Sequence, residues 1–145
     1  MAVAQTVYSE IMAPGLPGQV ASGEAANRIS RTVEDAGGLA FGKAAFRGAR
    51  ANGCTGTPAA GALLGFVIAD AAGSADVVPQ HGSAAILTKG ALFVTAGEAV
   101  TAGAPVYVTP AGAIVDTATS NVAAPGWLFD TAAASGAVVR IANRG

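Results

Sequence analysis

The sequence has few of the side chains that enzymes use for proton transfer or metal binding. Among 145 residues there is one cysteine, one histidine and one tryptophan, and charged residues make up only 12%. A single cysteine excludes an internal disulfide framework and a zinc site built from cysteines. The net charge is −1 and there is no Lys/Arg cluster, so the electrostatic footprint of a nucleic-acid-binding protein is missing.

Long hydrophobic runs are missing as well. The longest apolar stretch, residues 59–69, has about 11 residues, whereas a membrane-spanning helix needs about 20. The first residues, Met-Ala-Val-Ala-Gln, do not have the basic region and apolar run of a signal peptide. We therefore expect a soluble protein that is made in the cytoplasm, without a membrane partner.

Alanine and glycine are present in excess. The chain contains 36 alanines and 20 glycines, while Leu, Ile, Val and Phe together supply 33 residues. That is about 23% of the chain, above the range in which disorder is expected. A folded chain with so few charges has a surface of small, weakly polar residues, which is a solubility hazard unless a partner covers it. The composition therefore favours a protein that assembles with others.

The chain after residue 36 favours short strands separated by glycine and proline. We predict strands within residues 39–47, 62–69, 85–89, 91–95, 105–108, 113–116, 126–130 and 137–142. The run at residues 62–69 is apolar throughout, which is typical of a strand buried on both faces. About eight strands, spaced roughly every ten to twelve residues, predict an all-β sandwich or barrel.

Two local patterns add detail to this prediction. Lys89 and Gly90 favour a hairpin-like junction between two strands. Residues 98–102 can form one helical turn with Val100 directed inward, and Gly103 can supply the positive φ that ends it.

Residues 1–36 differ from the rest of the chain. A Pro-Gly-Leu-Pro-Gly motif excludes a helix or a central strand near its middle. Further on, Ile29, Arg31 and Val33 alternate with polar residues at a period of two, but they are too few to form a core of their own. We predict an extended N-terminal arm over residues 1–36, ordered by contact with something else, and a body over residues 37–145. The alternative is an edge strand packed on its own domain.

Candidate catalytic residues are few and scattered. His81 lies in a predicted loop near Ser83 and Asp76, but a catalytic triad needs a base that a third group orients at hydrogen-bonding distance. Cys54 has no basic residue closer in sequence than Arg50, and a thiol needs a positive environment to become a thiolate. We therefore predict no catalytic, cofactor-binding or metal site, and a protein that is not an enzyme.

Charge is distributed unevenly along the chain. The N-terminal third contains a sparse basic set, namely Arg28, Arg31, Lys43, Arg47 and Arg50. Residues 51–139 contain one lysine and five acidic residues. Such a distribution favours head-to-tail docking or docking onto a charged partner. Ordinary solvated charges are the alternative interpretation.

Several turn and strand motifs follow one another in a distinctive order. They are Pro-Gly-Gln-Val-Ala-Ser at residues 17–22, Ser-Arg-Thr at 30–32, Leu-Ala-Phe-Gly-Lys-Ala at 39–44, Leu-Thr-Lys-Gly-Ala-Leu-Phe-Val at 87–94, Ala-Val-Thr-Ala-Gly-Ala-Pro-Val-Tyr at 99–107, Gly-Trp-Leu-Phe-Asp-Thr at 126–131 and Val-Val-Arg-Ile at 138–141. In this order they resemble the opening, the central signature and the close of tailed-bacteriophage capsid cement proteins, also called head decoration proteins. The resemblance covers nearly the whole chain.

The resemblance implies an all-β protein that lies on the outside of a capsid shell, forms small symmetric oligomers and clamps neighbouring major capsid subunits. We therefore expect a jelly-roll-like β-sandwich or barrel whose partners are the major capsid protein of a tailed phage and further copies of itself, as a homodimer or homotrimer. Its expected location is the outer capsid surface of the virion. We expect arm contacts at Ile29, Arg31 and Val33, and a subunit or shell contact at Phe46 and Arg47.

Three other functions stay open on the sequence. The first is another self-assembling β-structured phage component, such as a tail or fibre protein. The second is a small hydrolase that uses His81 or Cys54. The third is a ligand-binding or carbohydrate-binding β domain, which the low aromatic content of 6% disfavours.

Overall fold

The structure is a computed structural model that describes residues 15–69 and 76–144. In these residues the chain forms eleven β-strands and no helix. In chain order the strands are β1 (Asn27–Val33), β2 (Leu39–Ala40), β3 (Ala44–Arg47), β4 (Gly53–Thr55), β5 (Leu63–Val67), β6 (Val77–Val78), β7 (Ser83–Thr95), β8 (Pro105–Val108), β9 (Ile114–Val115), β10 (Val122–Phe129) and β11 (Val138–Asn143). The predicted all-β class is therefore confirmed, with more strands than the eight expected.

β7 is the longest strand, and it belongs to two groups of strands. Its first half, up to Lys89, pairs antiparallel with β1 and β5. Its second half, from Gly90 onward, pairs antiparallel with β11. Gly90 has a φ of 124°, a backbone conformation that glycine adopts far more readily than other residues. β7 can therefore bend at Gly90 without ending there.

The first group of strands is closed into a barrel. Its strands follow the order β1-β4-β3-β5-β7, and β1 also pairs with β7, which closes the ring. The neighbours are antiparallel except for β1 and β4, which are parallel. Because the ring is closed, this group has no free strand edge to which another chain could add a full-length strand. We call it the first barrel.

The second group contains the other half of β7 and follows the order β7-β11-β10-β8-β9. A parallel bridge between Ala96 and Ile114 connects β9 back to the residue that follows β7. The N–H of Gly97 also donates to the C=O of Ile114 at 2.7 Å. We call this group the second barrel. The expected sandwich or barrel is thus observed as two small five-stranded barrels that share one strand.

Alternate residues of the strands between the barrels point into two separate cores. The core of the first barrel includes Val33, Ala45, Cys54, Val67 and Ile86. Their sequence neighbours Phe46, Phe66 and Leu87 belong to the other core, together with Trp127. The rings of Phe66 and Trp127 meet edge to face with centroids 4.8 Å apart, a favourable aromatic geometry. β5 is therefore buried on both faces, as its apolar run predicts.

Two local predictions are wrong for identifiable reasons. The junction at Gly90 is not a hairpin, because the strand continues and its two halves pair with different neighbours. Residues 98–102 do not form a helical turn, because the N–H of Val100 donates to the C=O of Ala133 at 2.9 Å and its own C=O accepts the N–H of Ala133 at 3.2 Å. A backbone pair with a distant segment replaces the local helical bonds. Val100 is nevertheless buried, and Gly103 has the expected positive φ.

The described part of the predicted arm lies against both barrels. β1 is a strand of the first barrel, and Val33 at its end is completely buried. Before β1, residues 18–21 run beside the second half of β7 and form backbone hydrogen bonds with it. The alternative prediction is an edge strand packed on its own domain; β1 packs on the chain's own barrel, but it is not an edge strand, because it pairs with β4 on one side and with β7 on the other. Residues 1–14 lie outside the described residues, so the domain boundary at residue 36 stays a prediction.

Two adjacent acidic residues anchor loops next to β1. The carboxylate of Glu34 accepts the backbone N–H groups of Ala49 and Arg50, both at 2.9 Å, and these hydrogen bonds lower the pKa of Glu34. Asp35 accepts the hydroxyl group of Thr55 at 2.5 Å. The turn between β3 and β4, and the end of β4, are thereby fastened to the segment that follows β1.

Ion pairs fasten the segment before β1 to the C-terminal strand. Arg144 lies between Glu24 and Asp130, with N···O distances of 2.8 and 3.0 Å. Arg140 contacts Asp130 at 2.7 Å. Hydrogen bonds from Arg144 are the main reason why the pKa values of Glu24 and Asp130 are lowered. Because these groups are exposed to solvent, each pair contributes little by itself and is weakened by salt.

We expect Glu34→Gln to lower the melting temperature, because the new amide group would place an N–H donor against one of the two N–H groups that the carboxylate accepts. Asp76→Asn is the matched control, since it removes the same charge from an exposed residue. Thermal unfolding of both variants measures the effect. Equal melting temperatures for the wild type and Glu34→Gln would contradict the anchoring role.

We also expect the protein to lose stability on acidification below about pH 4. A carboxyl group whose pKa is lower in the folded state stabilises the fold above its unfolded-state pKa, near 4, and this contribution is lost as the pH falls through the folded-state pKa. Glu24, Glu34 and Asp130 belong to this class. Urea midpoints measured across this pH range give the loss. The loss of stability on acidification should be smaller in the variant Glu24→Gln/Asp130→Asn than in the wild type. An equal loss in the two proteins would show that the ion pairs do not contribute to stability.

Candidate functional site

The residues with catalytic potential do not form an active site in the described part of the chain. The thiol of Cys54 is completely buried, and burial raises its pKa, so it is a poor nucleophile. His81 is exposed, and among the described residues its side chain has no hydrogen bond to Ser83 or Asp76. No group of three His, Cys, Asp or Glu side chains that could hold a metal ion occurs in residues 15–69 and 76–144. Over the same residues there is no helix of the length and hydropathy needed to cross a membrane.

The five residues expected to contact a partner divide into core and surface positions. Val33 and Phe46 are completely buried, one in each core. Their side chains stabilise the fold and are not available to a partner, so a core role replaces the expected contact. Ile29 and Arg31 are partly exposed, and Arg47 is exposed. These three remain candidates for an interaction surface.

The strand order brings basic residues from separate segments close together. β4 lies between β1 and β3, and Cys54 of β4 is opposite both Val33 of β1 and Arg47 of β3. Arg31 precedes Val33 by two positions and therefore lies on the same face of β1. Arg50 lies in the turn between β3 and β4. Three of the basic residues of the N-terminal third thus lie around β4.

A cleft of about 320 Å³ opens at this end of the first barrel. Its walls are the end of β1, the turn between β3 and β4, and the turn that precedes β7. The polar side chains that line it are Thr32, Glu34, Arg50, Asn52, Gln80 and His81. A Cβ atom at Gly48 or Gly53 would overlap the carboxylate of Glu34, so a larger residue at either position would displace this carboxylate. We call this feature the polar cleft.

Sequence reasoning did not single out the polar cleft. Asn52 and Gln80 belong to no motif, and they lie in turns that only the closed barrel brings together. Two weak signals were present in the sequence. Asn52 and Gly53 form a dipeptide that favours a turn, and Glu34 is followed by a second acidic residue. Neither signal indicates which loops the acidic residues anchor.

The second barrel has a hollow of about 270 Å³ with a different character. Leu128 lines it and keeps 47% of its surface exposed. Gly103 and Gly126 also line it, and the ion-paired side chains of Asp130 and Arg144 contribute its charged groups. An exposed leucine among small residues offers an apolar contact. The two barrels therefore present surfaces of different chemistry.

Comparisons with known proteins agree with this structure. No curated protein matches the chain. A solved structure described as "The capsid of Myoviridae Phage XM1" contains a chain with a similar fold, with a TM-score of 0.73, 17% sequence identity and coverage of 98% of this chain and 98% of that chain. A model of the phage family described as structural cement protein matches residues 3–143. Because this match spans nearly the whole chain, the protein belongs to the structural cement protein family of phages and has a capsid-stabilising structural role.

Proposed function

We propose that the protein binds the outer surface of the capsid, contacts neighbouring major capsid subunits and fastens them together without an enzymatic step. We further propose that it does so as a homodimer or homotrimer. The observation that carries this proposal is the family match over residues 3–143. The low content of charged residues, 12% of the chain, also supports it, because a weakly charged surface loses little hydration when a partner protein covers it.

The physical mechanism of cementing is binding linked to assembly. A protein that binds the assembled shell and not its separate subunits stabilises the shell by mass action, by about 2.7 kcal/mol per site when its free concentration is 100 times the Kd. Many copies on one shell multiply this effect. Copies that each contact two subunits also gain from the high effective concentration of the second site.

Cementing requires at least two contact patches on one molecule, one for each neighbour. A standard interface buries about 800 Å² on each partner. The accessible surface of the chain is 7966 Å², so two such patches would use roughly a fifth of it. The basic residues around β4 and the hollow at Leu128 supply two patches of different chemistry, one on each barrel.

We propose Ile29, Arg31 and Arg47 as contact residues of the patch on the first barrel. All three keep exposed surface. Arg31 and Arg47 lie on either side of β4, whereas Ile29 is opposite Ile86 of β7 and packs partly on the core of the first barrel. Residues on strands of a closed barrel are fixed in position before binding, which lowers the entropy cost of association.

A tail or fibre component is the alternative that shares most of these physical properties. It would also oligomerise and sediment with virions, but its copy number would not match an icosahedral shell. Quantitative protein analysis of purified virions distinguishes the two functions. We expect hundreds of copies of this protein per particle, in a fixed ratio to the major capsid protein, and a few dozen copies or fewer would favour the alternative.

The variant Arg31→Glu/Arg47→Glu should bind heads prepared without the protein about tenfold more weakly than the wild type, because two attractive charges become repulsive. The control is Lys43→Glu, which reverses an exposed charge in the turn between β2 and β3. Binding isotherms at low and high salt, together with melting temperatures, measure the effect. Wild-type affinity of the folded double variant at low salt would exclude these arginines from the interface.

A further inference from the structure

Among the described residues that line the polar cleft, Glu34 is the one acidic residue, and its carboxylate already accepts hydrogen bonds. Glu34 accepts the N–H groups of Ala49 and Arg50 at 2.9 Å, one on each carboxylate oxygen. The side-chain amide of Gln80 donates to the backbone C=O of Glu34 at 3.2 Å. The acceptors on this wall of the cleft are therefore used within the protein.

The side-chain N–H and O–H donors of the polar cleft are, in contrast, not hydrogen-bonded to described residues, although the charge of Arg50 interacts with the nearby carboxylate of Glu34. The side chains of Thr32, Arg50, Asn52 and His81 line the cleft and form no hydrogen bond with any described residue. Arg50 alone carries five N–H donors in a planar fork that fits a carboxylate. An excess of free donors over free acceptors favours a ligand that is rich in acceptors. Carboxylate side chains and the carbonyl groups of an extended backbone are such acceptors.

His81 occupies a backbone position that favours a smaller residue. It is the third residue of the turn from Pro79 to Gly82, in which the N–H of Gly82 donates to the C=O of Pro79 at 2.9 Å. Its φ is 68°, and a positive φ at this position of a type II turn favours glycine or asparagine. Ten glycines in the described residues have a positive φ, while His81 and Ser120 are the two other residues that do. The imidazole of His81 thus stands at a fixed turn position in the wall of the cleft.

We propose that the polar cleft binds a short, extended acidic segment of the shell subunit, with a carboxylate on Arg50 and acceptor groups on Asn52 and His81. This inference rests on the proposed function and names the chemistry of one of its contacts. The volume of about 320 Å³ is at the lower end of the range for ligand sites, which suits one or two residues of a protein segment. A second copy of this chain, which carries the exposed carboxylate of Asp76, is the other possible occupant, and the sedimentation measurement below distinguishes it from the shell subunit.

Arg50→Gln tests the charge in the cleft. It should weaken binding to heads prepared without the protein about tenfold at low salt, because a charge-assisted hydrogen bond is lost. The effect should be smaller at high salt, because salt already weakens this interaction in the wild type. Arg28→Gln is the matched control, since Arg28 is an exposed arginine on the same barrel that does not line the cleft. It should change the affinity by less than about threefold. Equal effects of the two variants would overturn the proposal.

His81→Gly separates the role of the imidazole in binding from the effect of its positive φ on stability. It should raise the melting temperature by about 2 °C, since glycine adopts a positive φ at no steric cost, and yet weaken head binding. Ser120→Gly, at the other such position, should leave head binding unchanged. Stronger or unchanged head binding of His81→Gly would contradict the use of this side chain.

Two further outcomes separate this proposal from the function on which it rests. If wild-type protein binds heads and Arg50→Gln binds them equally well, the cleft is not a shell contact while the cementing function stands. If Arg50→Gln changes the sedimentation of the free protein and leaves head binding intact, the cleft is a contact between copies and the proposal is wrong. If the wild type does not bind heads at all, the proposed function itself fails.

Discussion

The pairing of β7 with two sets of neighbours is the constraint on which the rest of the structure depends. Each half of this strand completes a different five-stranded barrel, and Gly90 allows it to bend between them. Because the adjacent strands have one core on each face, the two barrels are packed against each other through Phe66 and Trp127 and not through a flexible linker. A force applied to one barrel is therefore transmitted to the other through a continuous hydrogen-bonded strand.

Such a rigid pair of barrels suits a protein that acts by adhesion. Its contact surfaces are fixed before binding, so the entropy cost of association is lower than for a disordered linker. The loops that bear exposed polar groups are also fastened, by Glu34 and Asp35 on the first barrel and by Arg144 on the second. The low content of charged residues, 12% of the chain, leaves a surface rich in small residues that can approach a partner closely.

Much of the fold could be predicted from the sequence, because alternation, apolar runs and turn residues are local signals. β5, β8 and β11 are found where these signals place them. β4 was not predicted, since its three residues lie in a glycine-rich segment and form a strand only through pairing with β1 and β3. Gly90 is a second example, because a glycine in the sequence is equally compatible with a turn that ends a strand and with a bend within a continuous strand. The sequence pattern indicates that Val33 and Phe46 are buried, but it does not show whether a partner or the chain itself buries them. Both side chains are buried in the chain's own cores. The polar cleft depends on three segments that are distant in sequence, so no local pattern could reveal it.

Calorimetry of purified heads, prepared without the protein and then titrated with it, tests the central claim most directly. If this chain cements the shell, the melting transition of the heads should move to higher temperature with each addition and stop moving once a fixed ratio to the major capsid protein is bound. Heads whose transition does not move at saturating protein would contradict a stabilising role.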